Sequence, residues 1–202
     1  MIARKCKQEF GCEKNKQGFA ITYARADRMR RSFVIRVRRG AGDRSRGWLL
    51  VAGRAIPVAL GRGGILANKR EGDGGTPRGQ FRPLRLWWRA DRLTQPRSAL
   101  PARTIRSDDA WCEDPQSRLY NRPIRRSEGA TGDRLMRDDH LYDLIVEIDH
   151  NTRPRIVGRG SAVFLHLARP GMTPTAGCVA MSRAHLLQVL GHLTPDTRIV
   201  IE

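Results

Sequence analysis

From Phe33 onward, short runs of β-branched and aromatic residues alternate with polar ones, the period of half-buried strands. Phe33 to Val37, Trp48 to Ala52 and Ala55 to Leu60 predict three strands, the last two joined by a hairpin turn at Gly53-Arg54. Phe81 to Arg89, Tyr142 to Ile148 and Ala162 to His166 predict three more. Thr197 to Glu202 closes the chain as a strand, with Ile199 and Ile201 on one face and Val200 on the other. One helical period stands out. Ser182 is a good N-cap, and Leu186, Leu187, Leu190 and Leu193 make an apolar face, predicting a helix over 182–193. Gly61 to Gly79 is dense in glycine and reads as a surface loop. It lacks the Gly-Lys-Ser/Thr ending and following helix of a phosphate loop. Residues 90–140, rich in Pro, Arg, Asp and Ser, read as one long connection, and structureless loops of that length usually carry function. Residues 1–32 lack an apolar period and read as a basic, flexible tail before a domain spanning 33–202. Many short strands, glycine and proline turns and one late helix predict a mainly β domain, a sandwich or barrel.

Composition narrows the classes. At 202 residues and 40% hydrophobic, the chain suits one globular domain with a sizeable core. No run of eighteen apolar residues exists, so no transmembrane helix is expected. The net charge of +18, nearly all from arginine, draws a chain to nucleic acid, anionic lipid or acidic wall polymers. The arginines are dispersed, which fits a solvated surface better than a dedicated polyanion face. Aromatics do not interleave with basic residues, so a base-stacking platform and specific nucleic-acid binding are not expected. Cys6, Cys12, Cys112 and Cys178 lack the paired short spacings of a zinc site. Cys6 and Cys12 are close enough in sequence to pair, and Cys112 reads as a packed thiol. Met29-Arg30-Arg31-Ser32-Phe33 resembles a twin-arginine export signal, but charge breaks the apolar stretch such a signal needs. With no cleavable leader legible, the residues alone read as a cytoplasmic chain.

The chemistry concentrates near the end. His166 sits in Phe164-Leu165-His166, and Cys178 follows twelve positions later in Pro174-Thr175-Ala176-Gly177-Cys178. Arg169 to Pro174 between them is rich in chain-turning residues, so the chain can fold back and set Cys178 beside His166. A free thiol is mostly protonated at neutral pH, and a neighbouring imidazole can take its proton and leave a nucleophile. Gly177 removes bulk before the thiol, and backbone amides at Gly177 and Cys178 are candidate donors to an oxyanion. The alternative is a buried small hydrophobe next to a core histidine.

These words, together with Ala59-Leu60-Gly61-Arg62-Gly63-Gly64, the run Lys69 to Gly79, Trp111-Cys112-Glu113-Asp114-Pro115 with Tyr120-Asn121, and Leu141-Tyr142-Asp143, resemble the L,D-transpeptidase (YkuD-type) catalytic domain from about Phe33 to Glu202. The resemblance implies an L,D-transpeptidase-like β fold and cross-linking of peptidoglycan stem peptides through a cysteine thioester, or L,D-carboxypeptidase hydrolysis. It implies Cys178 as nucleophile, His166 as general base and acid oriented by the carbonyl of Leu167, and no metal or cofactor. It further implies work in the cell envelope, in conflict with the missing leader. Tyr142 and Asn151 line the cleft by resemblance, and Thr175 belongs to the same active-site string. Arg169 is a candidate to hold a substrate carboxylate by a two-pronged hydrogen bond. The basic surface suits loose attachment to anionic envelope polymers. The sequence departs from many relatives at Ala176, where they carry histidine, at Leu167, where they carry glycine, and at Ala180, where they carry arginine. Acyl-donor recognition is therefore expected to differ. Two rivals stay open: another cysteine amidase or acyltransferase, and a non-enzymatic basic protein binding wall polymer or nucleic acid.

Among the remaining candidates, Asp73, Asp114 and Asp143 suit turn capping better than a glycosidase carboxylate pair. His140, His150, His185 and His192 show no partner pattern.

Overall fold

The structure, a computed structural model, describes residues 33–126 and 132–202. The expectations for residues 1–32, including a tail and a Cys6–Cys12 pair, lie outside the described residues. The chain opens with β1 (Val34–Arg39), β2 (Arg46–Val51) and β3 (Arg54–Ala59), an antiparallel meander. The β2–β3 turn falls at Ala52 and Gly53, one residue before the expected place. Both have positive φ, 47° and 76°, which a two-residue turn needs to match strand twist.

The glycine-rich segment is not a free surface loop. It contains the two-residue strands β4 (Ile65–Leu66) and β5 (Thr76–Pro77), paired in parallel, and leads into β6 (Gly79–Phe81) and β7 (Pro83–Trp88). The long connection is not structureless either. It carries β8 (Ala102–Thr104), β9 (Asp109–Trp111), β10 (Pro123–Arg125) and β11 (Asp133–Arg134), the last three forming a separate sheet with β9 in the middle. The chain ends with β12 (Leu144–Ile148), β13 (Phe164–Leu167), β14 (Val179–Met181), α1 (Arg183–Leu190) and β15 (Arg198–Ile201).

The main sheet has ten strands in the order β6-β15-β1-β2-β3-β14-β13-β12-β7-β8. Only Arg82 separates β6, at one edge, from β7, the ninth strand. One residue spans under about 4 Å, so the sheet has to curl back on itself to bring its ends together. This is the mainly β, barrel-like architecture the sequence predicts.

Strands β12 and β13 and the second half of β7, Leu86 to Trp88, are buried on both faces and are mostly apolar. Leu86, Val146, Leu165 and Leu167 face one core with Leu186, Val189 and Leu190 of α1. Trp87, Ile145 and Phe164 face a second core closed by Trp111 and Leu135 of the three-stranded-sheet region. Phe164 meets Trp111 edge to face at 4.9 Å, and its burial is worth about 1.5–3 kcal/mol. Helix α1 starts at its expected cap, where Ser182 Oγ accepts from His185 N. It stops at Leu190, short of 193, because Gly191 follows. Its buried stripe is Leu186, Val189 and Leu190, while Leu187 is 42% exposed.

Asp143, fully buried, ties the connection to this helix. Arg92 donates to its Oδ1 at 2.8 Å, Arg183 to its Oδ2 at 3.0 Å, and His140 Nδ1 lies 3.0 Å from Oδ2. Asp143→Ala is expected to cost about 2–3 kcal/mol, or roughly 5–10 °C of melting temperature, as read by thermal denaturation. A shift below 1 °C would show the cluster to be energetically neutral.

Candidate active site

Strands β13 and β14 are parallel neighbours, with His166 opposite Ala180. The chain leaves β13 at Leu167, turns through the short 3-10 segment Pro170–Met172 and returns at Cys178. Cys178 stands two residues before Ala180, so strand alternation puts its side chain on the face that carries His166. Thr175 docks the return segment to the meander. It forms a bridge with Gly61, its N–H donates to Leu60 O, and its carbonyl accepts from Arg62 N.

His166 is 6% exposed and its Nδ1–H donates to Leu167 O at 2.8 Å. That bond fixes the tautomer with the lone pair on Nε2. The Tyr142 ring packs edge-on to the imidazole at 5.4 Å. Cys178 is 7% exposed. Its Sγ–H points at Ala162 O, 3.2 Å away, and Sγ accepts from Phe164 N at 3.4 Å. Among the described residues no hydrogen bond joins Cys178 to His166. Burial pushes the His166 imidazole down to about 4, against the bond to Leu167 that favours its cation. Burial likewise pushes the Cys178 thiol up to about 12. The resting pair is a neutral thiol and a neutral imidazole, not an ion pair.

The backbone before the thiol differs from the sequence reading. Gly177 N–H donates to Thr175 Oγ1 at 3.1 Å, and Thr175 Oγ1 donates to Cys178 O at 2.7 Å. The Gly177 amide is therefore engaged and not free to meet an oxyanion. The amides of Ala176 and Cys178 have no partner among the described residues. The room at Gly177 is also not left open for substrate. Its φ is 147°, and a Cβ there would stand 2.8 Å from Gly75 O of the glycine-rich segment. Gly177→Ala is expected to cost about 2–3 kcal/mol through strain and that clash, seen as a melting temperature lowered by roughly 5–10 °C. An unchanged melting temperature would show that the two segments part without cost.

Cys178 and His166 open onto a cleft of about 500 Å³. Arg169, Thr175 and Tyr142 also line it. Its other wall is acidic, formed by Glu71, Glu113 and Asp133. Glu71 Oε2 accepts from Tyr120 Oη at 2.5 Å and from Ser161 Oγ at 2.8 Å, joining three segments. Asp133 Oδ2 accepts from Tyr142 Oη at 2.7 Å, and the Arg137 guanidinium lies 5.0 Å over the Tyr142 ring. Glu113 sits at the cleft rim with its side chain exposed. Lost hydration, then the carboxylates of Asp133 and Glu71, push its carboxyl up to about 7. Lys69, Arg62, Arg137 and Arg169 supply positive charge around the same space. A cavity carrying both signs suits a peptide with carboxylate and ammonium groups. Among the described residues no group of His, Cys, Asp and Glu is arranged to hold a metal ion.

Asn151 lies outside the cleft wall. Its φ is 50°, and its amide donates to Ile156 O and Gly160 O, both at 2.9 Å, bracing its own loop. Asp73 caps Arg70 N and Gly75 N, and Asp114 caps Gln116 N. Among the charged cleft residues with no role in the sequence reading are Lys69, Glu113, Asp133 and Arg137. Lys69 and Glu113 fall within the family-like words. Asp133 and Arg137 lie in the connection read as structureless, and nothing local marks them.

The model of the family described as the L,D-transpeptidase catalytic domain matches residues 32–201. Among solved structures, the chain is similar to an L,D-transpeptidase from Mycobacterium smegmatis, at 14% identity and a TM-score of 0.38, over 85% of this chain and 58% of that one. It thus spans less than two thirds of that protein's length. None of the curated proteins matches the chain.

Proposed function

Because the chain belongs to the L,D-transpeptidase catalytic-domain family, we propose that it exchanges amide bonds in peptidoglycan stem peptides through a thioester on Cys178. The observation that carries this reading is the burial of Cys178 and His166 on one face of adjacent parallel strands, opening onto one cleft.

The Cys178 thiol turns from Ala162 O to the lone pair on His166 Nε2 and gives up its proton as Sγ attacks the carbonyl of an L-centre. The C=O π pair moves to oxygen, held by the amides of Cys178 and Ala176. As the tetrahedral centre collapses, the C–N bond breaks, His166 returns the proton to the leaving amine and a thioester remains. The side-chain amine of a second stem then gives a proton to His166 as it attacks the thioester; the C–S bond breaks, a new amide forms and His166 returns the proton to Cys178 Sγ. The energy of the first amide is kept in the thioester, so no nucleotide is consumed. Leu167 O orients the imidazole throughout. Arg169 and Thr175 meet the donor stem, and Tyr142 packs the base. Action lies at the cell envelope, where the chain's charge of +18 suits anionic polymers. Among the described residues no helix is long and apolar enough to cross a membrane.

The test is product analysis of purified stem peptides by mass spectrometry. A cross-linked dimer with release of a D-amino acid supports transpeptidation. Release without a dimer identifies water as acceptor, and neither product rejects the reading.

The pH dependence follows from the burial of the base. A histidine held down to about 4 stays neutral above that pH, so kcat/KM should lose its acid limb near pH 4, not near the ordinary 6.5. A limb centred at 6.5 would place the working base elsewhere. Stability has the same sign. The unfolded imidazole protonates at about 6.5 and the folded one at about 4, so stability is complete above 6.5 and falls as pH drops towards 4.

A further inference from the structure

Lysine is rarely buried, yet Lys69 is 7% exposed and lines the cleft that holds Cys178. Its stem is wedged between two glycines. Cε lies 3.6 Å from where a Cβ on Gly177 would stand and 3.1 Å from where one on Gly160 would stand. Its Nζ donates to Asp73 Oδ1 and to Arg70 O, each at 2.6 Å. Asp73 is itself held by Arg70 N at 2.6 Å and Gly75 N at 2.7 Å. An ammonium has three donors, and the third has no partner among the described residues. The backbone next to it is short of one. Gly177, the residue before the nucleophile, has its amide turned to Thr175.

We propose that Lys69 is a further donor of the oxyanion site beside the Cys178 and Ala176 amides, its ammonium taking the place left by the diverted Gly177 amide. The ammonium binds the negative oxygen of the tetrahedral intermediate and transfers no proton. Asp73 and Arg70 O fix its direction, so little reorganisation is needed as charge develops. The Lys69 charge also opposes the effect of burial on the Cys178 thiol. The assignment rests on the reading of Cys178 as the nucleophile.

The experiment compares Lys69→Met, Lys69→Gln and Lys69→Arg with Cys178→Ala on soluble stem peptides. Thermal denaturation runs alongside, so that Lys69→Gln decides if Lys69→Met fails to fold. Loss of one oxyanion donor should lower kcat about 100-fold. KM should move less than threefold, because the bond forms only as the carbonyl oxygen becomes negative. Lys69→Arg should recover at least part of the rate. If a folded Lys69→Met or Lys69→Gln keeps kcat within threefold of wild type while Cys178→Ala is inactive, the Lys69 assignment fails alone. A raised KM with unchanged kcat would make Lys69 a ground-state contact and overturn it equally. If Cys178→Ala keeps its turnover, the nucleophile reading fails and takes the Lys69 assignment with it.

Discussion

Cys178→Ala is expected to lower stem-peptide turnover by about three orders of magnitude or more while leaving the fold intact. The two roles open to a buried cysteine predict opposite patterns. A thiol that only packs, 7% exposed beside Phe164 and Ala162, contributes about 1 kcal/mol of stability and nothing to rate. A nucleophile carries the covalent intermediate, and no neighbouring group can replace it. Among the described residues the only other cysteine is Cys112, also a buried free thiol but absent from the cleft wall. The measurement is steady-state turnover with a melting curve. Activity within tenfold of wild type would remove Cys178 from the mechanism.

His166→Gln should cost about 10²–10⁴ in kcat, the usual range for a positioned general base. The size follows from the state of the thiol. With Cys178 held up to about 12, almost no thiolate exists at neutral pH, so attack depends on proton removal during the step. Without the imidazole that removal falls to hydroxide, and the residual rate should climb tenfold per pH unit up to the thiol pKa. Wild type should instead be flat from about pH 5 to 9. A variant that keeps the wild-type profile would show that another group takes the proton.

Where each feature was legible in the sequence follows from how local its cause is. β1, β2, β3 and β15 announce themselves because one face is buried and the other wet, so alternation marks them. The start of α1 is legible through Ser182, and its stop was misjudged because Leu193 is buried without being helical. β14 was not anticipated, since three buried residues carry no period. β8 to β11 were missed for a related reason. They are two or three residues long and rich in Arg, Asp and Pro, and their order comes from partners outside the strand itself, which a local period cannot show. Arg103 and Arg125 both reach the buried Asp109, and Asn121 accepts from Trp111 Nε1 at 3.0 Å.

The same distinction applies to the cleft. The turn-rich stretch between His166 and Cys178 signals a chain reversal, and residue types alone suggest the chemistry. The buried Lys69 depends on the glycine-rich segment lying against the Gly177 turn, a contact between residues about a hundred positions apart, whereas the diverted Gly177 amide is a local bond to Thr175 that no residue pattern marks. Gly61 and Gly75 let the glycine-rich segment fold tightly on itself, since a Cβ on Gly61 would meet Gly74 O and one on Gly75 the Leu66 side chain, each at 2.2 Å.

The central claim is a covalent acyl-enzyme on Cys178, and the direct measurement is intact-protein mass spectrometry of enzyme quenched in acid during turnover of a stem peptide. The predicted result is a population heavier by the peptide less its leaving D-amino acid, mapped to Cys178, released by an added amine and absent from Cys178→Ala. Sustained turnover with no adduct on Cys178, or an adduct confined to another residue, would contradict it.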